Sequence, residues 1–289
     1  VRSFRVSEFQ RFSVCSPLWI SKLRIILWLA GIWIAACPGD ILARPAWQDR
    51  IAADGREMAK VTTRLVTAPL RASTRDWVGA GALAAAVAYS ATFDRDVERA
   101  AEGHSEPWKN SVDDIGHTFQ QAPLFFATAG ALYLGGLAAD RPTWRRTGAE
   151  LVTAFAVAQA GTQFVKFTTG RPRPDEGGPF RFIGPTLDDS YHSLWSGDVT
   201  TAFTLASVLS AEAKHPVATV LLYGLASTTA FQRIHTDRHW LSDVAAAAVW
   251  STAVGIGTVK LGHRKLEMRK QSGKSVSFRL TPVGVGVEW

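Results

Sequence analysis

Residues 233–259, RIHTDRHWLSDVAAAAVWSTAVGIGTV, join a cluster of charged side chains directly to a long apolar run. The run is rich in alanine and lacks the alternation of Val and Ile that marks a strand, so it predicts a helix over 239–261. Because similar apolar stretches recur earlier in the chain, the helix predicted here indicates the fold class of the whole.

Five more apolar stretches precede it, at 77–93, 119–139, 147–166, 197–213 and 216–232. Breakers such as Gly170, Pro172 and Pro216 mark their ends. We therefore predict an all-α fold, an antiparallel bundle of six core helices. Residues 275–289 alternate apolar residues with period two, which predicts a short C-terminal β-hairpin-like tail.

The same pattern divides the chain into four parts, namely an N-terminal signal-like or membrane-anchoring segment at 1–43, a basic lead-in at 44–76, the helical domain at 77–262, and a basic tail with the hairpin at 263–289. Within the first part, residues 22–37 read KLRIILWLAGIWIAAC. A basic start followed by an apolar run is typical of a secretory signal peptide, and both removal and retention of this segment stay open.

The composition favours anionic partners, because Lys and Arg exceed Asp and Glu to give a formal net charge of +7. No basic run alternates with aromatic residues, so we expect no nucleic-acid partner. The two cysteines, Cys15 and Cys37, cannot support a disulfide framework for the core. Neither a CxxC nor an HExxH spacing occurs, so we expect no metal and no cofactor.

Three groups of polar and charged residues lie at the ends of the apolar stretches. They contain Lys166 and Arg173, then Ser196, Gly197 and Asp198, and finally Arg233, His239 and Asp243. Counting back and forth through an antiparallel bundle puts all three groups at the same end. The loop 167–195 crosses that end, and we expect it to shape the entrance of a site there.

Together the three groups resemble the signature of the type 2 phosphatidic acid phosphatase superfamily, which includes bacterial acid phosphatases and vanadium haloperoxidases. The pattern of that family is K-x6-R-P, then P-S-G-H, then S-R-x5-H-x3-D. The first and third groups match it at every charged position. The chain departs from it at Trp195, where the family has proline, at Asp198, where it has histidine, and at Gln232, where it has serine.

The resemblance implies a metal-independent phosphatase that works through a phosphohistidine. His239 takes the place of the nucleophile, Asp243 that of the acceptor for its other ring N–H, and Asp198 that of the leaving-group acid. The implied phosphate-binding residues are Lys166, Arg173, Ser196, Gly197 and Arg233. Ordinary structural roles compete with these, namely a surface His–Asp pair, a basic helix end and a serine N-cap. Arg171 is a weaker candidate, because it breaks the family spacing.

Asp198 leaves three interpretations open. Its carboxyl is protonated and serves as the acid. Alternatively it binds a divalent ion or a substrate hydroxyl, while His192 or His235 donates the proton. In the third, the site is impaired or has been altered by substitution.

The implied function is hydrolysis of a lipid or isoprenoid phosphate, with a phospholipid, lipid A or a polyprenyl phosphate as substrate. A head-group phosphotransferase and a catalytically silent phosphate- or lipid-binding membrane protein are the rival functions, and vanadate chemistry is a further one.

The apolar stretches are close to the roughly 20 residues that a membrane span needs. Basic residues at the bundle end opposite the motifs predict that this end is cytoplasmic. We therefore expect a bacterial inner-membrane protein with its site on the periplasmic side. A soluble or lipid-anchored periplasmic protein is the alternative.

Overall fold

The computed structural model describes residues 46–101, 107–272, 277–281 and 284–288 of the 289-residue chain. The signal-like residues 22–37, and the whole segment 1–43, lie outside the described residues.

The described chain folds almost entirely into α-helices. They are α1 (Ala46–Val66), α2 (Thr74–Ser90), α3 (Asp94–Ala101), α4 (Pro107–Phe119), α5 (Ala122–Ala138), α6 (Pro142–Thr169), α7 (Gly197–Ala213), α8 (Pro216–His235) and α9 (Leu241–Ser272). Two short strands follow, β1 (Ser277–Thr281) and β2 (Gly284–Glu288). They pair antiparallel, with Ser277 opposite Glu288, as the alternating tail predicts.

All six apolar stretches form helices, which are α2 and α5 to α9. Two helices have no counterpart in the sequence prediction. These are α3 and α4, which lie between the first two apolar stretches and carry mostly polar residues. The basic lead-in also contains a regular helix, α1.

Three helix ends differ between the sequence prediction and the structure, and each difference concerns a residue of the three motif groups. α6 continues beyond Lys166 and ends at a left-handed glycine, Gly170. α8 includes Arg233 in its last turn. α9 begins at Leu241, so His239 lies in the loop before the helix rather than within it.

The core lies around α7, which packs against α6, α8 and α9. Its buried side chains are largely small, and several are hydroxyls that hydrogen-bond within the bundle. Thr200, for example, donates to the carbonyl of Ser196 at 2.8 Å and lies 3.0 Å from the hydroxyl of Thr162 on α6. Small residues let the helices approach closely, and hydrogen bonds such as those of Thr200 satisfy polar atoms in the core.

Charged residues tie the helices together at the bundle end remote from Lys166. Glu212 on α7 accepts a hydrogen bond from Arg146 on α6 at 3.0 Å and lies 2.5 Å from His263 on α9. These contacts join three helices at that end of the bundle.

Within the described residues, one segment, Leu241–His263, is long and apolar enough to cross a membrane, and 44% of its most apolar window is buried inside the bundle. Other helices expose large apolar side chains on their outer faces. These include Trp77, Val78 and Leu83 on α2, Leu134 on α5, Phe164 on α6, and Val220, Leu221 and Leu225 on α8.

Candidate functional site

A cavity of about 680 Å³ opens at the bundle end where α6 finishes and α7 begins. All three sequence motifs reach it. Its charged or titratable lining residues are Lys166, Arg173, Asp198, Arg233, Arg238 and His239. These side chains therefore lie at one end of the bundle, as counting the helices along the chain predicts.

His239 is held in one tautomer. Its Nδ1 lies 2.7 Å from the backbone oxygen of Ser193, and because a carbonyl can only accept, Nδ1 carries the proton. The lone pair is therefore on Nε2. Burial, and after it the charge of Lys166, holds the pKa of His239 well below its usual range, although the bond to Ser193 opposes this shift. The ring is thus neutral, which is the form that a nucleophile needs.

The predicted hydrogen bond between His239 and Asp243 requires correction. Nδ1 of His239 lies 4.0 Å from Oδ2 of Asp243, which is too long for a hydrogen bond. Oδ2 instead accepts from the hydroxyl of Ser193 at 2.5 Å and from the backbone N–H of Trp240 at 3.1 Å. Because His239 precedes α9, the i, i+4 geometry of a helix does not apply to the pair. Ser193 therefore lies between the two side chains, since its hydroxyl donates to Asp243 and its carbonyl accepts from His239.

Arg171 is the centre of the buried network behind the cavity, although its spacing made it the weaker candidate. Only 2% of the residue is exposed. Its Nη1 donates to Asp243 and, at 2.9 Å, to Ser242, while Nη2 donates to Asp94 at 2.6 Å and Nε to the oxygen of Pro179 at 2.8 Å. The guanidinium therefore joins two buried carboxylates from distant parts of the chain.

Asp94 completes this network, and no motif pointed to it. It begins α3 and accepts from both the backbone N–H and the hydroxyl of Ser242, at 2.8 and 2.7 Å. The available sequence signals were weak. Asp94 is the first charged residue after a long apolar stretch, and Arg171-Pro172 repeats the Arg-Pro pair two residues before Arg173.

The predicted phosphate-binding residues divide into two groups. Lys166, Arg173, Gly197 and Arg233 line the cavity. Gly197 opens α7, where free backbone N–H groups favour an anion, and a Cβ built on it would lie 3.9 Å from Nζ of Lys166. Ser196 is fully buried and its hydroxyl accepts from the backbone N–H of Val199 as an N-cap, so its side chain serves the helix.

Arg233 is paired with Asp198 in the cavity. Nη1 of Arg233 lies 2.9 Å from Oδ2 of Asp198, and its Nε donates to the side-chain oxygen of Gln232 at 2.6 Å. The residue that replaces the expected histidine therefore neutralises one of the expected phosphate-binding cations.

Residues 147–267 match the family model described as the PAP2 superfamily. The resemblance that the three motif groups indicate is therefore confirmed for this part of the chain, which is similar to the PAP2 superfamily. A lipid A 1-phosphatase of Porphyromonas gingivalis is 33% identical over 118 residues, which are 40% of this chain and 23% of that protein. This chain therefore matches less than a quarter of that relative's length.

Two solved structures also resemble the chain. The crystal structure of Aquifex aeolicus LpxE is 20% identical with a TM-score of 0.45, covering 58% of this chain and 95% of that one. The crystal structure of the first transmembrane PAP2-type phosphatidylglycerolphosphate phosphatase, from Bacillus subtilis, is 18% identical with a TM-score of 0.47, covering 65% and 95%.

Two departures from the PAP2 pattern have structural explanations here. The ring of Trp195 lies 5.6 Å from that of Trp250 on α9 and packs on a small core cluster with Val199 and Val244. Trp195 therefore anchors the start of α7 by apolar packing. Gln232 orients Arg233 through its side-chain oxygen, in the place where the PAP2 pattern has a serine.

Neither His192 nor His235, the two histidines considered as alternative proton donors, lines the cavity. Nε2 of His192 lies 2.9 Å from the carbonyl oxygen of Thr186 and so donates to it. His235 lies 2.6 Å from Asp113 and stacks on Phe231. Both side chains are committed to structural contacts.

Replacing Arg171 by methionine should strongly destabilise the protein, because Asp94 and Asp243 would remain buried without their cation. We expect the free energy of unfolding to fall by about 3–5 kcal/mol. Arg181→Met is the matched control, since Arg181 is exposed, and it should change stability by less than about 0.5 kcal/mol. Chemical denaturation of both variants measures the difference.

Adding Asp94→Asn to Arg171→Met should restore part of the lost stability, because it removes one of the two uncompensated charges. Equal stability of Arg171→Met and Arg181→Met would show that the buried network does not support the fold.

Proposed function

We propose that this chain hydrolyses a lipid phosphate ester through a covalent intermediate on His239. The observation that carries the proposal is the neutral ring of His239, whose Nδ1–H is fixed on Ser193 and which lines a cavity together with four cationic side chains. The PAP2 match over 147–267 supports the same reaction class.

In the proposed reaction, the phosphoryl oxygens bind Lys166, Arg173, Arg233 and the backbone N–H groups at the start of α7. Nε2 of His239 attacks phosphorus in line as the ester P–O bond breaks, and the leaving alkoxide takes a proton from solvent water, because Asp198 paired with Arg233 has none to give. Water then attacks the phosphohistidine, which releases inorganic phosphate and returns the ring to its neutral form. In the phosphohistidine, the carbonyl of Ser193 stabilises the positively charged ring of His239 by accepting its Nδ1–H.

The substrate class that we propose is a membrane lipid phosphate, with a phospholipid, lipid A or a polyprenyl phosphate as the candidates. The relative named as a lipid A 1-phosphatase supports a lipid phosphate. The basic lining of the cavity supports an anionic head group of any of these kinds.

We further propose that the bundle spans the bacterial inner membrane with the cavity on the periplasmic side. No charged residue occurs between Asp76 and Asp94, between Lys214 and Arg233, or between Asp243 and Lys260. The exposed apolar side chains on α2, α5 and α8 suit lipid contact. Alkaline carbonate extraction of membranes tests this, since a spanning protein stays in the pellet and release into the supernatant would contradict it.

A second candidate function is phosphate binding without turnover, and the pair of Asp198 with Arg233 favours it. An ion pair requires the carboxylate form of Asp198, which has no proton to give to a leaving alkoxide. The same carboxylate also competes with the phosphate for Arg233. Binding without product release would distinguish this function from the enzyme.

His239→Ala should abolish phosphate release, because no other described lining residue offers a neutral imidazole. The measurement is release of inorganic phosphate from phosphatidate, lipid A and a polyprenyl phosphate, with and without EDTA. His215→Ala, an exposed histidine in the loop between α7 and α8, is the control and should keep full activity. Acid-labile, base-stable labelling of the parent protein by a radioactive phosphate ester should be absent in His239→Ala. Turnover that survives in His239→Ala, or that requires a divalent metal, would contradict the proposal.

Asp198→His should raise kcat by about 10²–10⁴ near neutral pH, because it supplies the general acid that the carboxylate cannot provide. Asp198→Asn is the matched control, since it frees Arg233 without supplying a proton donor. It should tighten binding of inorganic phosphate while leaving kcat low. Equal kcat in the two variants would mean that leaving-group protonation does not limit this site.

A further inference from the structure

A second cluster of titratable side chains lies at the bundle end remote from the cavity. Glu150 on α6, Glu212 on α7 and His263 on α9 each offer one ligand atom, and these atoms all lie within 4.8 Å of one another. Two carboxylates and an imidazole are ligands that divalent transition metals accept. Because each residue comes from a different helix, no local spacing in the sequence indicates this cluster.

Glu150 provides the observation that points to a ligand. The residue is fully buried, and neither oxygen of its carboxyl has a hydrogen-bond partner within the described part of the chain. Nε of Arg146 lies 3.5 Å from Oε1, beyond the usual range of a hydrogen bond. Gly262 leaves space for the carboxyl, since a Cβ there would lie 2.5 Å from Oε1. A buried carboxylate without a partner is strongly unfavourable, so Glu150 requires a further cation or a proton.

The contacts of His263 show the same deficit of positive charge. Its Nε2 lies 2.5 Å from Oε1 of Glu212 and 3.1 Å from Nη2 of Arg146. A guanidinium only donates, which requires a lone pair on Nε2, whereas an ionised Glu212 only accepts, which requires a proton there. The neutral ring cannot satisfy both partners with one nitrogen. A metal ion removes this conflict, because it binds the lone pairs of Nε2 and Oε1 together.

Arg146 does not take the place of such an ion. Its Nη2 donates to Oε2 of Glu212 at 3.0 Å and lies 3.3 Å from Oε1. One guanidinium leaves the second of the two carboxylates without a compensating charge. While Arg146 holds Oε2, Oε1 remains for a metal ion, and a hydrogen bond of this kind orients a ligating carboxylate.

We propose that Glu150, Glu212 and His263 bind one divalent transition-metal ion, for which Zn²⁺ is the probe, and that the ion joins α6, α7 and α9. Coordination at about 2.0–2.2 Å would draw the three ligand atoms together around it. The imidazole favours Zn²⁺ over Mg²⁺, which prefers oxygen ligands. The side chains of His263 and Arg146 are partly exposed and give the ion a path from solvent.

This inference goes beyond the proposed function, because the cluster and the cavity lie at opposite ends of the bundle. Removal of the ion should therefore lower the melting temperature and leave phosphate release unchanged. Loss of phosphate release at a site that still binds Zn²⁺ would count against the proposed function alone.

The test is calorimetric titration of Zn²⁺ into the full chain, purified in detergent and freed of metal by a chelator that is then dialysed away. The parent protein should bind one ion that Mg²⁺ does not displace. Glu150→Gln and His263→Gln should each weaken binding by about tenfold or more, since even a side chain that only supports a ligand contributes 10–100-fold. His215→Gln removes an exposed histidine outside the cluster and should bind Zn²⁺ as the parent does.

His263→Gln changes a partly exposed side chain and decides the matter if Glu150→Gln does not fold. A parent protein that binds no Zn²⁺ would overturn the inference, and the two carboxyls would then share a proton instead. Equal affinity in the parent and in a folded Glu150→Gln or His263→Gln variant would also overturn it, because the ion would then bind elsewhere.

Discussion

The buried guanidinium of Arg171 is the interaction on which the site depends. It joins Asp94 at the start of α3 to Asp243 in the first turn of α9, two carboxylates that would be prohibitively unfavourable in the interior without a cation. Its own backbone oxygen accepts from the N–H of Ser193 at 3.1 Å. Ser193 in turn donates to Asp243 and accepts from His239. The orientation of the candidate nucleophile is therefore the last link of a chain of bonds that begins at a buried ion pair.

The sequence predicts the helices of the bundle well, because their apolar stretches are long and their composition is a local property. It also predicts that Lys166, Asp198 and His239 lie at the same end of the bundle. In an antiparallel bundle, the number of helices between two residues decides whether they lie at the same end. The Arg171 network could not be predicted in this way. Arg171 is separated by more than seventy residues from each of its carboxylate partners, and no local pattern encodes such a pairing. The position of His239 was misplaced for a related reason, because the start of α9 depends on the cap that Asp243 provides to Trp240.

Asp198 changes the electrostatics of the cavity as well as its proton chemistry. It occupies the first turn of α7, where the helix dipole and the free N–H groups favour negative charge, and it pairs with Arg233. These are the groups that a phosphate would use. To bind Arg233, a phosphate must therefore displace the carboxylate of Asp198. The contact with Arg233 then contributes less to the free energy of phosphate binding. A neutral imidazole at this position would not compete in this way.

The cavity and the outer surface of the bundle divide recognition between them. The cavity offers charged and amide side chains to a polar head group, and Ala122, Pro123 and Phe155 add apolar surface to its lining. The ring of Phe155 lies 5.0 Å from that of Phe126, which is exposed on α5. Apolar side chains thus connect the cavity lining with the outer face of the bundle. Since each buried methylene of a lipid tail contributes about 0.8 kcal/mol, tails along this surface would supply affinity without discriminating between lipids. Discrimination between head groups would then have to come from the polar groups that line the cavity.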